Sequence, residues 1–209
     1  MKYKIIFLDW NGTLSNSKFW GQWENRDHPK HKLFSKIESA LFGELRDLLN
    51  PWMRGEMRSE EIIDQISKKT GIDYELLYSE FIESCKGMLF VSENIQSMVS
   101  KIRSMGIKVA IATDNMDSFS RWTIPSLNLL ETFDDILESS TLKVMKRDFD
   151  ETGSSLFFRD YLKKNNIFPN ECLLIDDGVD KEEKIAKYGI EYRRILSGDL
   201  AKELDQYSH

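Results

Sequence analysis

Acidic side chains end three short apolar segments of the sequence. The segments are KIIFLD, IKVAIATD and ECLLIDD, at residues 4–9, 107–114 and 171–177. Carboxylates that converge in a protein repel one another, and they are tolerated when a hard cation such as Mg²⁺ neutralises them through oxygen ligands. Because such an ion attracts phosphate oxygens in turn, these residue types point to chemistry on a phosphorylated molecule.

The elements that must position these carboxylates can be read from the pattern of apolar residues. The three segments are continuously apolar rather than alternating, which favours strands covered on both faces and hence a parallel sheet. A fourth, weaker strand is predicted at residues 191–196, and helices are predicted from Ser92 to Gly106 and at residues 156–164 and 180–188. This alternation is typical of a doubly wound α/β sheet, in which ligands bind beyond the carboxyl ends of the strands.

Residues 16–87 interrupt the alternation and contain no convincing strand. Their spacing predicts three helices, at residues 33–49, at 59–70 with Ser59 as N-terminal cap, and at 73–86 with Asp73 as cap. We expect a separate helical unit inserted after the first strand and lying over the sheet. Trp20 and Trp23, where the insert leaves the core, could line a substrate pocket or pack inside the insert itself.

Composition narrows the classes of function. The 209 residues carry 29 basic and 35 acidic side chains, a formal net charge of −6, with 41% hydrophobic residues. This is a globular composition, and the negative charge argues against a protein that coats nucleic acid or an anionic membrane. The N-terminal apolar run is too short for a signal peptide, and no stretch reaches the roughly 20 apolar residues of a membrane span. We therefore expect a cytoplasmic protein, and the composition leaves both small-molecule chemistry and protein contacts open.

Four sequence motifs, taken together, resemble those of one family. The runs FLDWNGTL, IATD and LLIDDG, with a lysine between the last two, are similar in order and spacing to the motifs of the haloacid dehalogenase superfamily of phosphohydrolases. The resemblance covers nearly the whole chain. It implies a Rossmann-like core at residues 1–15 and 88–209 with a helical cap at 16–87, and Mg²⁺-dependent hydrolysis of a small phosphorylated metabolite.

The resemblance also implies roles for the residues of the first two motifs. Asp9 would be the nucleophile that attacks phosphorus and forms an aspartyl-phosphate. Gly12 and Thr13 follow in the family's D-x-D-G-T pattern, where glycine permits a tight turn. Thr113 would donate a hydrogen bond to the transferred phosphoryl group, and Asp114 beside it falls in the same substrate-binding set.

The third and fourth motifs supply a cation and the metal ligands. Lys143 and Lys146 are both candidates for the cation that holds the phosphoryl group; Lys146 is favoured by its distance from the FD pair at Phe133, although Arg147 follows where the family often has proline. A solvated surface lysine remains the alternative. The resemblance further implies that Mg²⁺ is held by Asp9, the backbone carbonyl of Asn11 and Asp176, with Asp177 orienting water or Lys146 from outside the ligand set.

Asn11 departs from the family pattern. Phosphatases of this family carry aspartate there, as general acid toward the leaving oxygen and then as base toward water, whereas an amide cannot carry a proton. Since general acid–base catalysis contributes roughly 10²–10⁴-fold, activity on alkyl phosphates should be weakened by that order. Three explanations stay open: a leaving group that needs no proton, such as an acyl or aryl phosphate; a catalytically impaired phosphate-binding or regulatory protein; and deamidation at Asn11-Gly12.

Overall fold

A five-stranded parallel sheet forms the centre of the computed structural model, which describes residues 2–196 and 198–207. The strand order is β3-β2-β1-β4-β5, and every neighbouring pair is parallel. The predicted doubly wound α/β fold is therefore confirmed. The strands are β1 (Ile5–Leu8), β2 (Lys108–Thr113), β3 (Asp135–Glu138), β4 (Cys172–Asp176) and β5 (Glu191–Arg194).

The insert between β1 and β2 is helical, as predicted, but one of the predicted helices is broken. The single helix expected over residues 33–49 is wrong, because a π-helical turn at Ala40–Glu44 and a 3-10 turn at Arg46–Leu48 separate two α-helices. Pro51 explains the restart, since proline lacks the N–H that a continuing helix needs and is tolerated in a first turn. The helices of this insert are α1 (His31–Ser39), α2 (Leu49–Met53), α3 (Ser59–Thr70) and α4 (Tyr74–Lys86).

The ends of α3 and α4 show which capping predictions hold. Asp73 Oδ1 accepts a hydrogen bond from the Leu76 N–H at 2.9 Å, as predicted, and Gly71 ends α3 with φ +70°. The prediction for Ser59 is wrong, because the cap position is Arg58. Ser59 Oγ donates instead to Asp117 Oδ1 at 2.7 Å, a partner that is distant in the sequence.

The remaining helices flank the sheet, with three predicted boundaries shifted. The helix expected from Ser92 begins at Ile95, and the helix expected at residues 156–164 begins at Arg159. The helix expected at 180–188 is interrupted, since Glu182 and Glu183 have φ of +61° and +54°. These helices are α5 (Ile95–Ser104), α6 (Ile124–Ser126), α7 (Leu129–Thr132), α8 (Ser139–Leu142), α9 (Arg159–Asn165), α10 (Lys184–Tyr188) and α11 (Leu200–Asp205).

Three apolar clusters hold these layers together. One lies on each face of the sheet, and the third fills the insert and contains both Trp20 and Trp23, each about 1% exposed. Met116, from the loop after β2, packs into this third cluster. The insert and the sheet therefore share buried apolar surface, which favours a fixed arrangement of the two.

Polar contacts reinforce the junction between the insert and the sheet. Asp117 Oδ1 accepts hydrogen bonds from Trp52 Nε1 at 2.9 Å and from the backbone N–H of Ser59 at 3.1 Å. The guanidinium of Arg54 binds both carboxylate oxygens of Asp148, at 2.5 and 2.9 Å. Among the helices of residues 2–196 and 198–207, none is long and apolar enough to cross a membrane.

Candidate active site

The predicted site residues meet at the carboxyl edge of the three central strands. Asp9 directly follows β1, and its backbone N–H donates to the carbonyl of Ile175 at 3.0 Å. Thr113 is the last residue of β2, and Asp176 is the last residue of β4. Because β1 lies between β2 and β4 and all three are parallel, their ends bring these side chains together.

Lys146 lies between the two central carboxylates. Its Nζ is 2.9 Å from Asp9 Oδ1 and 2.6 Å from Asp176 Oδ2, and the residue is only 4% exposed. Its backbone N–H donates to Asp114 Oδ1 at 2.8 Å, so Asp114 holds the loop that carries the lysine. Lys143 Nζ donates to the carbonyl of Gly55 at 2.8 Å, which places this lysine at the insert instead.

Burial and charge set the ionisation of these groups. Burial raises the pKa of Asp9 to about 7, with a further contribution from the negative charge of Asp176, while Lys146 opposes both effects. Burial also acts to raise the pKa of Asp176, but the charge and hydrogen bond of Lys146 outweigh it and the net shift is downward. For Lys146, burial acts to lower the pKa, but the surrounding carboxylates raise it well above its ordinary value. Lys146 is therefore the main cation for several carboxylates, with a smaller contribution from Arg147, and the burial of these carboxylates favours a further positive charge at the site.

Three carboxylates are close enough to share a metal ion. One oxygen each from Asp9, Asp176 and Asp177 lies within 4.8 Å of the others. This donor set of oxygens fits a hard cation such as Mg²⁺. The Asp177 carboxylate also lies against Gly12, where φ is +75° and a Cβ would stand 2.4 Å from Asp177 Oδ2, so the turn after β1 requires glycine here.

Two threonine hydroxyls at the site are buried without a partner. Thr113 Oγ1 and Thr13 Oγ1 have no hydrogen-bond partner within the described part of the chain, and both residues are fully buried. A buried hydroxyl without a partner costs stability. Both residues follow from the predicted motifs, and hydroxyls in this state are available to a bound ligand.

Arg147 is a site residue whose role the sequence does not predict. Its Nε is buried and unpartnered within the described residues, and a Cβ added to Gly178 would lie 2.7 Å from its Nη2. The guanidinium therefore covers the loop that follows Asp176. The sequence signal for Arg147 is its position directly after Lys146, where the family often has proline.

A pocket of about 340 Å³ opens beside the turn after β1. Asn11 and Gly12 line one end of it, and Met116, from the loop after β2, also contributes to its wall. Asn11 is exposed. Trp20 and Trp23 both pack inside the insert, which confirms that alternative for both residues. Trp20 also lines this pocket, whereas Trp23 does not.

A comparison with protein-family models identifies the class of protein. The model described as haloacid dehalogenase-like hydrolase matches residues 3–188. The chain therefore belongs to the haloacid dehalogenase-like hydrolases, and the resemblance seen in the four motifs is confirmed. No protein among functionally curated sequences matches the chain at a significant level.

Solved structures of this family share the fold at low sequence identity. A haloacid dehalogenase-family enzyme from Bacteroides thetaiotaomicron, crystallised with magnesium, is similar with a TM-score of 0.71 and 18% identity, covering 99% of this chain and 100% of that one. A predicted family hydrolase from Porphyromonas gingivalis is similar with a TM-score of 0.69 and 17% identity over 100% of both chains. The L-2-haloacid dehalogenase of Xanthobacter autotrophicus, with chloropropionic acid covalently bound, is similar with a TM-score of 0.62 and 13% identity over 98% and 83%.

Proposed function

We propose that this hydrolase is a Mg²⁺-dependent phosphohydrolase of a small phosphorylated metabolite, acting through an aspartyl-phosphate on Asp9. The observation that carries the proposal is the position of Lys146, buried between Asp9 and Asp176 with the Thr113 hydroxyl unpartnered, among the described residues, at the same strand edge. A cation and a hydroxyl beside a nucleophilic carboxylate suit a transferred group that carries several negative oxygens.

Each residue has a proposed part in phosphoryl transfer. An Asp9 carboxylate oxygen attacks phosphorus, while Thr113 and Lys146 bind the phosphoryl oxygens and Gly12 and Thr13 shape the turn around them. Asp9, Asp176 and the backbone carbonyl of Asn11 would hold Mg²⁺, with Asp177 as a neighbouring carboxylate. When bound, the ion neutralises the carboxylates and the phosphoryl oxygens. Asp114 acts through the Lys146 loop, which its carboxylate fixes.

Phosphoryl transfer is favoured over dehalogenation by the donor set. Solved structures with this fold include a haloacid dehalogenase and the Bacteroides enzyme, which has also been crystallised with magnesium and inorganic phosphate. This chain keeps a cluster of three carboxylates that suits a hard cation, and a phosphate group is the natural ligand of such an ion.

The insert at residues 16–87 is proposed to act as a cap over this site. It contributes Lys18, Phe19 and Leu41 to the pocket that opens at Asn11. A cap of this kind excludes water and supplies the contacts that select the substrate.

A second candidate function is favoured by Asn11, namely a phosphate-binding or regulatory protein that turns over slowly. The amide cannot assist water in hydrolysing the aspartyl-phosphate. Deamidation of Asn11 is disfavoured, because it requires the Gly12 backbone nitrogen to attack the Asn11 side chain. The N–H of Gly12 instead donates to the carbonyl of Ser15 at 2.8 Å. Peptide mass spectrometry of an active sample tests this point and should find unmodified Asn11.

Acetyl phosphate tests the proposed function, since its leaving group needs no proton. We expect phosphate release that requires Mg²⁺ and is lost in Asp9→Asn, with the variant's melting temperature measured to show that it folds. Stoichiometric phosphorylation of Asp9 without turnover would favour the regulatory alternative. Neither release nor phosphorylation in the presence of Mg²⁺ would overturn the proposal.

A further inference from the structure

The pocket beside Asn11 has a largely apolar wall. Its volume of about 340 Å³ leaves room for a group larger than a phosphoryl. The wall combines apolar side chains of the insert, Phe19, Ile37, Leu41 and Phe42, with two methionines. Met88 directly follows the insert, and Met116 lies in the loop after β2.

Aromatic rings support one side of this pocket. Phe19 lies 5.7 Å from Trp52 and 4.9 Å from Phe81, measured between ring centroids, and Trp20 is 4.9 Å from the same Phe81. Rings packed in this way are held in place by the insert cluster. Of these rings, Phe19 and Trp20 line the pocket and present apolar aromatic surface to it, which suits an aromatic ligand.

The charged residues of the pocket are few and one of them has another partner. Among the described residues that line it, only Lys18 and Glu38 are charged. Lys18 forms an ion pair with Glu24, and its ammonium lies 5.9 Å from the centre of the Phe34 ring. Uncharged polar residues of the turn after β1 also line one part of the pocket, namely Asn11, Ser15, Asn16 and Ser17. Sugar hydroxyls placed against the apolar part, at Phe19, Leu41 and Met116, would lack hydrogen-bond partners, which is costly.

Asn11 lines the pocket two residues after Asp9, and Gly12 beside it lies against the Asp177 carboxylate, so the pocket adjoins the acidic site. In the proposed mechanism, an oxygen that departs toward this pocket would meet the Asn11 amide. An amide can donate a hydrogen bond to this oxygen but cannot protonate it. Only a leaving group that is stable as an anion departs readily under these conditions. A phenolate meets this condition, and an alkoxide does not.

From these two independent features, and resting on the proposed phosphohydrolase activity, we infer that the substrate is an aryl phosphate, the monoester of a phenol. An Asp9 carboxylate oxygen forms a bond to phosphorus as the bond from phosphorus to the phenolic oxygen breaks. The phenolate leaves with the bonding electron pair and takes a proton from solvent. Water then attacks the phosphorus of the aspartyl-phosphate and breaks its bond to the Asp9 oxygen. This step releases hydrogen phosphate, gives the other proton of the water to solvent and restores the carboxylate.

A series of phosphate monoesters tests the leaving group. We expect kcat/KM, with Mg²⁺, to rank 4-nitrophenyl phosphate above phenyl phosphate and both above glycerol 3-phosphate. The full span should be about 10²-fold or more, as expected when no general acid assists departure. Hydrolysis of acetyl phosphate combined with aryl phosphates no better than glycerol 3-phosphate would overturn this inference alone. Inactivity toward acetyl phosphate and all the esters would overturn the proposed function as well.

Phe42 provides a test of the pocket itself. It lines the pocket and is 55% exposed, so Phe42→Gln should fold; Phe168, 64% exposed and outside the pocket, gives the matched control Phe168→Gln. The readout is the ratio of kcat/KM for phenyl phosphate to that for acetyl phosphate. We expect a fall of about fivefold in Phe42→Gln, from the loss of apolar contact, and none in Phe168→Gln. An equal ratio in both variants would overturn the assignment of this pocket to the aryl group.

Discussion

The hydroxyl of Thr113 is in an unfavourable state in the protein without ligand. It is fully buried at the end of β2, and no partner for it lies within the described residues. Thr123 is also fully buried, but its hydroxyl donates to the carbonyl of Cys85 at 2.9 Å. The pair allows a comparison between a hydroxyl that we propose binds the phosphoryl group and one that stabilises the fold.

We expect Thr113→Val to leave the free energy of unfolding unchanged or to raise it, because it removes an unsatisfied buried group. Thr123→Val should lower it by about 1 kcal/mol or more, because a buried carbonyl loses its donor. Urea denaturation measures both effects. Phosphate release from acetyl phosphate should fall in Thr113→Val only, and a clear loss of stability in that variant would show that its hydroxyl has a structural partner.

Asn11→Asp should restore the proton transfer that the natural residue lacks. We expect kcat/KM for glycerol 3-phosphate to rise by about 10²–10⁴-fold and that for 4-nitrophenyl phosphate to rise much less, because kcat/KM reports the departure of the leaving group and not the later hydrolysis of the aspartyl-phosphate. Steady-state kinetics with Mg²⁺ measures both. An unchanged rate on the alkyl ester would show that the amide of Asn11 does not limit the departure of an alkoxide.

At the scale of elements, an ion-pair network joins α3 and α4 to the segment after β2. The guanidinium of Arg121 binds the Glu60 carboxylate at 2.5 and 2.9 Å and Asp117 at 2.8 Å, and Tyr78 OH donates to Glu60 at 2.7 Å. Mainly through the Arg121 hydrogen bond, the pKa of Glu60 falls from 4.5 to about 2. The network therefore ties the insert to the core only while Glu60 is ionised.

The contribution of Glu60 to stability should depend on pH in a definite direction. Its pKa is lower in the folded state, so the stabilisation is complete above about pH 4.5 and is lost as the pH falls toward 2. Glu60→Gln should lower the free energy of unfolding at pH 7 by less than about 1 kcal/mol, because the pair is partly exposed, and the difference should vanish near pH 2. Glu83→Gln, which removes an exposed pair with Lys86, is the control, and a Glu60 effect that grew toward low pH would contradict the assignment.

The elements differ in how far the sequence predicts them. β1, β2 and β4 are continuously apolar because both faces are covered, and this pattern places Asp9, Thr113 and Asp176 at one edge. β3 is missed, since it is a four-residue edge strand that begins at Asp135 and is only half buried at first. The different role of Ser59 and the break before α2 depend on tertiary contacts and on turn geometry that local spacing does not reveal.

The site is predicted only as far as its motifs reach. The motif residues meet as expected, and the geometry distinguishes Lys146 from Lys143, which the sequence alone separates only by distance from Phe133. The apolar pocket could not be predicted, because its wall combines residues from Asn11 to Met116 that share no pattern. The catalytic roles of the motif residues remain predictions.

At the scale of the whole molecule, the two cysteines report on the insert and the sheet separately. Cys85 lies in α4 and Cys172 begins β4; both are buried, and burial raises the pKa of each thiol to about 12. Neither should react with a thiol reagent in the native protein. Because Met116 and the Asp117 contacts join the insert to the sheet, we expect both to become reactive over the same range of urea concentration. Mass spectrometry of labelled peptides measures this, and earlier labelling of Cys85 would show an insert that unfolds by itself.

The strand order also bears on how the chain folds as it is made. Ile5 of β1 pairs with Lys108 on one side and with Cys172 on the other, so β1 emerges from the ribosome long before either neighbour. Helices α1 to α4 are made next and depend mostly on nearby residues, which favours their early formation. A nascent chain halted before β4 would thus carry an apolar N-terminal strand with one edge uncovered, the state in which chaperones and aggregation compete for it.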